Sequence, residues 1–241
     1  MAEVIKVVGS NVYVQVFEST RGLKVGAEAE FTGHMLEVTL GPGMLSKNYD
    51  GLQNDLDKMD GVFLKRGQYT YPLDKERVWH FVPLVKVGDE VGPSAWLGQV
   101  DENFQPLKIM VPFQLTGTYK VKSIVPEGDY TIEDTVVVLT DREGKDIPVN
   151  MIQKWPVKKA MTNYKEKPRP YKLLETGVRV IDTVNPIVEG GTGFIPGPFG
   201  TGKTVLQHAI SKQAEADIVI IAACGERANE VVEIFTEFPD W

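Results

Sequence analysis

The sequence reads GPFGTGKTVLQHAI from Gly197 to Ile210, a glycine-rich loop that runs directly into a stretch with helical periodicity. It matches the phosphate-binding pattern G-x-x-x-x-G-K-[ST] at every fixed position, which are Gly197, Gly202, Lys203 and Thr204. Glycines leave the backbone N–H groups of such a loop free to converge on phosphate oxygens, and the N-terminus of the following helix adds a favourable dipole. Lys203 would reach the β- and γ-phosphates, and the Thr204 hydroxyl would bind Mg2+. The stretch therefore predicts a binding site for the phosphates of a nucleotide and for Mg2+.

The segments around this loop alternate between strand and helix patterns. We predict that GTGFIPG (191–197) is a short strand and that DIVIIAACG (217–225) is a parallel strand buried on both faces. KTVLQHAISKQAE (203–215) and ANEVVEIFTEFPD (228–240) are predicted to be helices, the second ending at Pro239. This order is typical of the start of a doubly wound α/β sheet. The side chains expected on the buried helix faces are Val205, Leu206, Ala209, Ile210, Val231, Phe235 and Phe238.

A second polar cluster, CGERANE (224–230), follows the predicted buried strand. Ligands of open α/β sheets bind beyond the carboxyl ends of the strands, so Glu226 is expected on the same side as the loop. Its carboxylate could orient a water molecule towards the γ-phosphorus, and Arg227 could pair with phosphate oxygens or with Glu230. Alternatively, Glu226 and Arg227 are surface charges that cap the next helix. Spacing alone does not decide between these hypotheses.

The first part of the chain has the composition of a β-rich protein. VIKVVGSNVYVQVFE (4–18) alternates apolar and polar residues around a turn, which predicts a half-buried hairpin. The segments 84–100 and 117–139 each place a turn between valine-rich strands, like the flattened barrel of biotinyl and lipoyl carrier domains. Lys108 is the nearest candidate for a modified lysine, but no turn residues flank it. We therefore predict a β-module with a structural role.

Composition excludes several classes of function. A net charge of -7 argues against nucleic-acid binding, and the basic stretch 156–172 is interpreted as a solvated linker because of its prolines. The single cysteine, Cys224, rules out an internal disulfide framework, and His34, His80 and His208 lack metal-ligand spacing. No apolar run is long enough to span a bilayer, and the first residues do not have the pattern of a signal peptide. We expect a soluble, intracellular chain.

Longer stretches of the sequence resemble a known family. The run 176–208 closely resembles the catalytic A subunit (alpha chain) of V-type and archaeal A-type rotary ATPases and ATP synthases, and its residues 198–200 match that subunit and not the β subunit of the F-type relatives. The segment 224–239 resembles the one that carries the catalytic glutamate of the family. LEVTLGPGMLSKNYDGLQNDLD (36–57) is similar to the end of the N-terminal barrel of that subunit, and 61–158 is similar to its bulge insertion.

The resemblance implies a role for each residue of the site. Glu226 becomes the catalytic carboxylate that orients water, Arg227 a phosphate-side stabiliser, Lys203 the γ-phosphate lysine and Thr204 the Mg2+ ligand. Ala228 stands where the family usually has glycine, and the resemblance places the nucleotide contacts on one loop. The nucleotide-binding residues that it implies are Gly197, Pro198, Phe199, Gly200, Thr201, Gly202, Lys203 and Thr204.

The resemblance also implies partners. The subunit would couple ATP synthesis or hydrolysis to proton or sodium transport as part of a hetero-oligomeric A3B3 head. The non-catalytic B subunit would supply an arginine finger in trans, and central and peripheral stalk subunits would connect the head to the membrane. We expect a cytoplasmic location, peripheral to a membrane that the chain meets only through partner subunits. The resemblance implies no contact with nucleic acid.

The predicted domain organisation is mixed, with a β-rich part followed by a P-loop α/β part. We predict a partial β-barrel at 1–60, a β-rich bulge insertion at 61–155, a linker at 156–175 and the beginning of a nucleotide-binding domain at 176–241. On this interpretation the chain is a piece of a longer subunit, truncated at both ends, and is inactive by itself. Two alternatives are a stand-alone P-loop enzyme and a scaffold whose P-loop is not catalytic.

Overall fold

The computed structural model describes residues 1–61, 65–162, 164 and 166–237 of the chain. These residues form two compact units, Met1–Tyr164 and Lys165–Trp241. The predictions made for Phe238 and Pro239 lie outside the described residues.

The first unit begins with the predicted hairpin. Strand β1 (Ala2–Val8) pairs antiparallel with β2 (Asn11–Val16), and Gly9 in the turn has a φ of 57°. The prediction of a hairpin is confirmed, but the prediction that it is half-buried is wrong. Val4, Val7 and Tyr13 are 43%, 62% and 52% exposed. These are the only two strands of their sheet in the part of the chain that the structure describes, and a two-stranded hairpin has little apolar surface of its own to bury.

The other strands of the first unit also pair antiparallel. The strands are β3 (Glu37–Leu40), β4 (Val78–Pro83), β5 (Glu90–Val91), β6 (Trp96–Glu102), β7 (Gln105–Met110), β8 (Tyr119–Ile124), β9 (Gly128–Thr131), β10 (Val137–Thr140), β11 (Asp146–Val149) and β12 (Gln153–Pro156). A 3-10 turn, Leu56–Lys58, lies between β3 and β4. Two four-stranded sheets have the orders β7-β6-β4-β9 and β11-β10-β8-β5, and β12 pairs with β3.

The inward-facing side chains of these strands make one hydrophobic core. Phe81 and Leu97 are fully buried at its centre, and a Cβ at Gly98 would lie only 2.2 Å from the Phe81 ring, so glycine is required there. The other core residues include Trp79, Val100, Ile109, Val111, Val121, Ile132, Val137, Leu139 and Val149. The alternation of valine with polar residues in the sequence produces this core, because successive side chains of a strand point to opposite faces.

Lys108 lies within β7 and not at a hairpin tip. Its ammonium donates to Gln99 Oε1 of the neighbouring strand at 2.5 Å and lies 5.1 Å from the centre of the Trp96 ring. A cross-strand partner and a ring hold this side chain, as expected for a surface lysine of a structural module. The likeness to biotinyl and lipoyl carriers stays a prediction.

The second unit contains three helices and a short ladder. Strands β13 (Leu173–Leu174) and β14 (Ile187–Val188) pair antiparallel, and α1 (Arg179–Val184) lies between them in the chain. Helices α2 (Lys203–Gln213) and α3 (Ala228–Glu237) follow. Asp182 accepts hydrogen bonds from Thr176 Oγ1 at 2.7 Å and from the backbone N–H groups of Thr176 and Gly177 at 3.0 and 3.1 Å. These bonds lower the pKa of the Asp182 carboxyl and fix the turn before α1.

Two strands predicted for this unit do not form. Neither 191–197 nor 217–225 is a strand, and Phe194 and Ile220 are 86% and 88% exposed. A strand needs a hydrogen-bonded neighbour, and β13 and β14 pair only with each other in the described residues. The prediction that one face of α2 is buried is also wrong, because no residue of this helix is buried and Val205 is 73% exposed. On α3, Phe235 is 42% exposed.

Two features are absent from the described residues. None of their helices combines the length and the apolar character needed to cross a bilayer. The same residues contain no group of three or more histidine, cysteine, aspartate or glutamate side chains that is arranged to hold a metal ion.

Candidate nucleotide-binding site

The loop before α2 has the backbone conformation that its glycines permit. Gly200 and Gly202 have φ values of 79° and 83°, a left-handed conformation that residues with a Cβ rarely adopt. Gly202 directly precedes the first residue of α2, and its carbonyl accepts the first helical hydrogen bond, from Leu206 N at 2.9 Å. The N–H groups of the first helical turn have no partner within the helix. They are the donors that a phosphate group uses at a helix N-terminus.

The loop closes on itself around Gly197. A Cβ on Gly197 would lie 2.6 Å from Thr201 Oγ1 and 3.6 Å from Lys203 Cδ, so a side chain would fill this space. Thr201 Oγ1 donates to the Pro198 carbonyl at 2.7 Å, which fixes the turn without using a backbone N–H group. The narrow, glycine-lined loop with a lysine at its end fits a phosphate cradle.

The structure brings the GERANE segment to this loop. Gly225 turns the chain with a φ of 72°, and Val231 N donates to the Arg227 carbonyl at 3.0 Å at the start of α3. The Arg227 guanidinium carbon lies 4.1 Å from the centre of the Phe199 ring, inside the loop. The predicted juxtaposition of the loop with Arg227 is therefore present in the second unit, although the strand expected to carry it there is not formed.

The Glu226 carboxyl lies among charged groups of both segments. A hydrogen bond with the Glu230 carboxyl, loss of hydration and the negative charge of Glu230 raise its pKa, while Lys203 and His208 act in the opposite direction. Lys203 is thus close enough to Glu226 to influence its charge. Among the ion pairs of the described residues, none joins Arg227 to Glu230, so the pairing considered from the sequence is not observed.

The predicted site residues occupy neighbouring positions in the second unit. Lys203 is exposed at the first position of α2, and Thr204 is half-buried at the second. An ammonium group, a hydroxyl and the carboxylates of Glu226 and Glu230 are the groups that bind a phosphate chain and its Mg2+ in proteins. These residue types fit the nucleotide and the cation that the sequence predicts.

Sequence reasoning missed two contacts of the site. Glu226 lies two residues before α3, so the rule that residues four apart are neighbours on a helix does not predict its contact with Glu230. The contact of Arg227 with Phe199 has no signal in the sequence either, because it depends on the position that the loop backbone gives to the Phe199 ring. Ala228, a departure from the family pattern, is the first residue of α3.

Three family models match the chain in succession. Residues 1–33 match the beta-barrel domain of the ATP synthase alpha/beta family, and residues 70–158 match the ATP synthase alpha/beta subunit barrel-sandwich domain. Residues 177–240 match the nucleotide-binding domain of the ATP synthase alpha/beta family. The predicted fold class, a β-rich part followed by the start of a nucleotide-binding domain, is confirmed.

The chain is also similar to curated V-type ATP synthase alpha chains. It is 53% identical to that of Treponema denticola over 99% of its own length and 41% of the relative. Identity to the alpha chains of Borrelia hermsii and Borreliella burgdorferi is 50% and 49%, over 99% of this chain and 42% of each relative. The chain thus spans about two-fifths of the length of these relatives. The three domain matches and these identities show that the chain belongs to the ATP synthase alpha/beta family.

Proposed function

We propose that this chain carries the nucleotide site of a V-type or A-type ATP synthase catalytic subunit, which couples ATP synthesis or hydrolysis to proton or sodium transport across a membrane. The observation that carries the proposal is the loop from Gly197 to Thr204, which presents its glycine backbone and Lys203 beside Glu226 and Arg227. The printed names of the relatives and the match of residues 177–240 to a nucleotide-binding domain support it.

Each side chain of the site has a role in this proposal. The loop residues 197–204 bind the phosphate chain, and Lys203 neutralises charge on the β- and γ-phosphates. The Thr204 hydroxyl would ligate Mg2+, which supplies charge neutralisation to the phosphates when bound. Arg227 would stabilise the charge that develops on the transferred phosphoryl group, because its planar guanidinium can donate two parallel hydrogen bonds.

Glu226 would orient the attacking water molecule. The ionised form accepts hydrogen bonds from water with both oxygens, whereas the protonated form carries an O–H donor, so the charges around Glu226 matter for this role. The Glu230 carboxyl favours the protonated form of Glu226, and Lys203 and His208 favour the ionised form. We propose that the positive charge of Lys203 favours the ionised form of Glu226 and that the Glu230 carboxyl opposes this effect.

The proposal extends to an assembly. As a subunit of this kind, the chain would lie in an A3B3 head, with an arginine finger from the non-catalytic B subunit and with central and peripheral stalk subunits attached. Its location would be cytoplasmic and peripheral to the membrane. We further propose the domain limits 1–60, 61–155, 156–175 and 176–241 for the barrel part, the bulge, the linker and the nucleotide-binding part.

Nucleotide binding by the Lys203→Ala variant tests the proposal. Charge-assisted hydrogen bonds to phosphate contribute roughly 1.5–3 kcal/mol each, so we expect the affinity for Mg-ADP to fall about ten- to hundredfold in isothermal titration calorimetry. Lys24→Ala, which removes an exposed lysine from the first unit, is the matched control and should bind like the wild type. Equal affinities for the wild type and Lys203→Ala would show that the loop is a passenger in a scaffold.

A further inference from the structure

Phe199 is a large apolar side chain at the middle of the phosphate-binding loop. Its ring is 77% exposed, so it does not belong to a hydrophobic core. The loop closes through other groups, namely the narrow space at Gly197 and the hydrogen bond from Thr201 to the Pro198 carbonyl. Closure of the loop therefore does not explain why a phenylalanine occupies this position.

The ring has a cationic partner. The guanidinium carbon of Arg227 lies 4.1 Å from the ring centre, within the distance at which the negative face of an aromatic ring attracts a cation. A contact of this kind places no oxygen acceptor on the guanidinium N–H groups. An arginine held in this way keeps donors for a phosphate group.

Among the ion pairs of the described residues, Arg227 forms none with the two glutamates of its own segment, Glu226 and Glu230. An ion pair with a carboxylate would occupy the same N–H donors that a phosphate needs. A neutral ring holds the arginine without using these donors.

We propose that Phe199 is a positioning residue, whose ring holds the Arg227 guanidinium at the edge of the cradle for the phosphates of a nucleoside di- or triphosphate. This inference rests on the proposed function of the loop. Without the ring, Arg227 must be ordered at the moment of binding, which costs conformational entropy. Phe199 thereby acts on the ligand through Arg227 and not by direct contact.

A double-mutant cycle on the full chain tests this inference. We expect Phe199→Leu to weaken the binding of Mg-ADP and of inorganic pyrophosphate about two- to fivefold, the range of an exposed cation–π contact. Phe199→Tyr should bind like the wild type because it keeps the ring. The double variant Phe199→Leu/Arg227→Gln should bind no more weakly than Arg227→Gln alone. Additive losses in the double variant, or unchanged binding by Phe199→Leu, would overturn the inference.

A second measurement needs no ligand. In the free protein, the ring current of Phe199 should shift the side-chain proton resonances of Arg227, and this shift should vanish in Phe199→Leu and persist in Phe199→Tyr. Phe194→Leu, the same change at an exposed phenylalanine before the cradle, is the control and should leave the resonances unchanged. If Arg227 shows no ring-current shift in the wild type, Phe199 does not hold it. Failure of the wild type to bind either ligand would instead reject the proposed function, while the resonances would still decide the role of Phe199.

Discussion

His80 is an exposed histidine between two carboxylates on the surface of the first unit. Its Nδ1 lies 2.9 Å from Asp129 Oδ1 and its Nε2 lies 3.2 Å from Glu127 Oε1. Hydrogen bonds to Asp129 first, and then to Glu127, raise the pKa of the imidazole above its usual value of 6.5. The sequence indicated only that His80 lacks metal-ligand spacing, and the structure shows a cross-strand pair with Asp129 on the surface.

The raised pKa of His80 gives a pH dependence with a definite sign. A histidine whose folded pKa lies above its unfolded pKa stabilises the fold fully below the unfolded value, about 6.5. This contribution is lost as the pH rises through the folded pKa. We expect an NMR titration to give a His80 pKa above 6.5 and Asp129→Asn to lower it further than Glu127→Gln does. A wild-type pKa at or below 6.5 would contradict the prediction.

For the individual residues of the candidate site, the sequence predicted only part of the arrangement. The glycine pattern gave the loop, because left-handed backbone at Gly200 and Gly202 follows from the absence of a Cβ. It also indicated that Glu226 and Arg227 come near the loop. The ring contact of Arg227 could not be predicted, since a side-chain contact between distant residues depends on the loop backbone to within an ångström.

Among the elements, the hairpin of β6 and β7 has an unusual turn. Asn103 and Phe104 connect the strands with φ values of 48° and 65°, and the Phe104 side chain is fully exposed. Two-residue hairpin turns with positive φ at both positions favour Asn followed by Gly. A phenylalanine in the second position accepts backbone strain without the gain of burying its ring.

Relief of this strain is measurable. We expect Phe104→Gly to raise the free energy of unfolding by about 1 kcal/mol, the cost of a left-handed conformation for a residue with a Cβ. Urea denaturation of the full chain measures it. Phe104→Ala is the matched control, because it removes the ring and keeps the Cβ. If the two variants were equally stable, the strain would not be in the backbone.

Helices and strands of the second unit differ in how well the sequence predicted them. Helices α2 and α3 formed as predicted because each helix satisfies its backbone hydrogen bonds from its own residues. The apolar run 217–225 did not become a strand, because a strand depends on neighbours that a local pattern cannot reveal. The exposed hairpin β1–β2 shows the same limit: its pairing is local, whereas its burial requires a second layer.

At the scale of the whole chain, we expect very slow ATP turnover. The proposed site holds Lys203, Thr204, Glu226 and Arg227, and the family resemblance assigns the arginine finger to another subunit. Such a finger contributes a factor of about 10³–10⁵ to the rate of P-loop enzymes. Phosphate release from Mg-ATP by the purified chain should therefore lie far below 1 s⁻¹, the lower end of typical enzyme rates. Turnover near 1 s⁻¹ that disappeared in Glu226→Gln would refute this prediction.

The pairing of β3 with β12 has a consequence for how the first unit folds. Thr39 lies opposite Lys154, so the pair encloses both four-stranded sheets in one long loop of chain. Closing an unfolded loop costs entropy that grows with the logarithm of its length, and contacts between such distant residues slow folding. Once the enclosed sheets have formed, much less chain remains to be ordered. We therefore expect the register of β3 to be set late in folding, with its edge open to pairing with other chains until then.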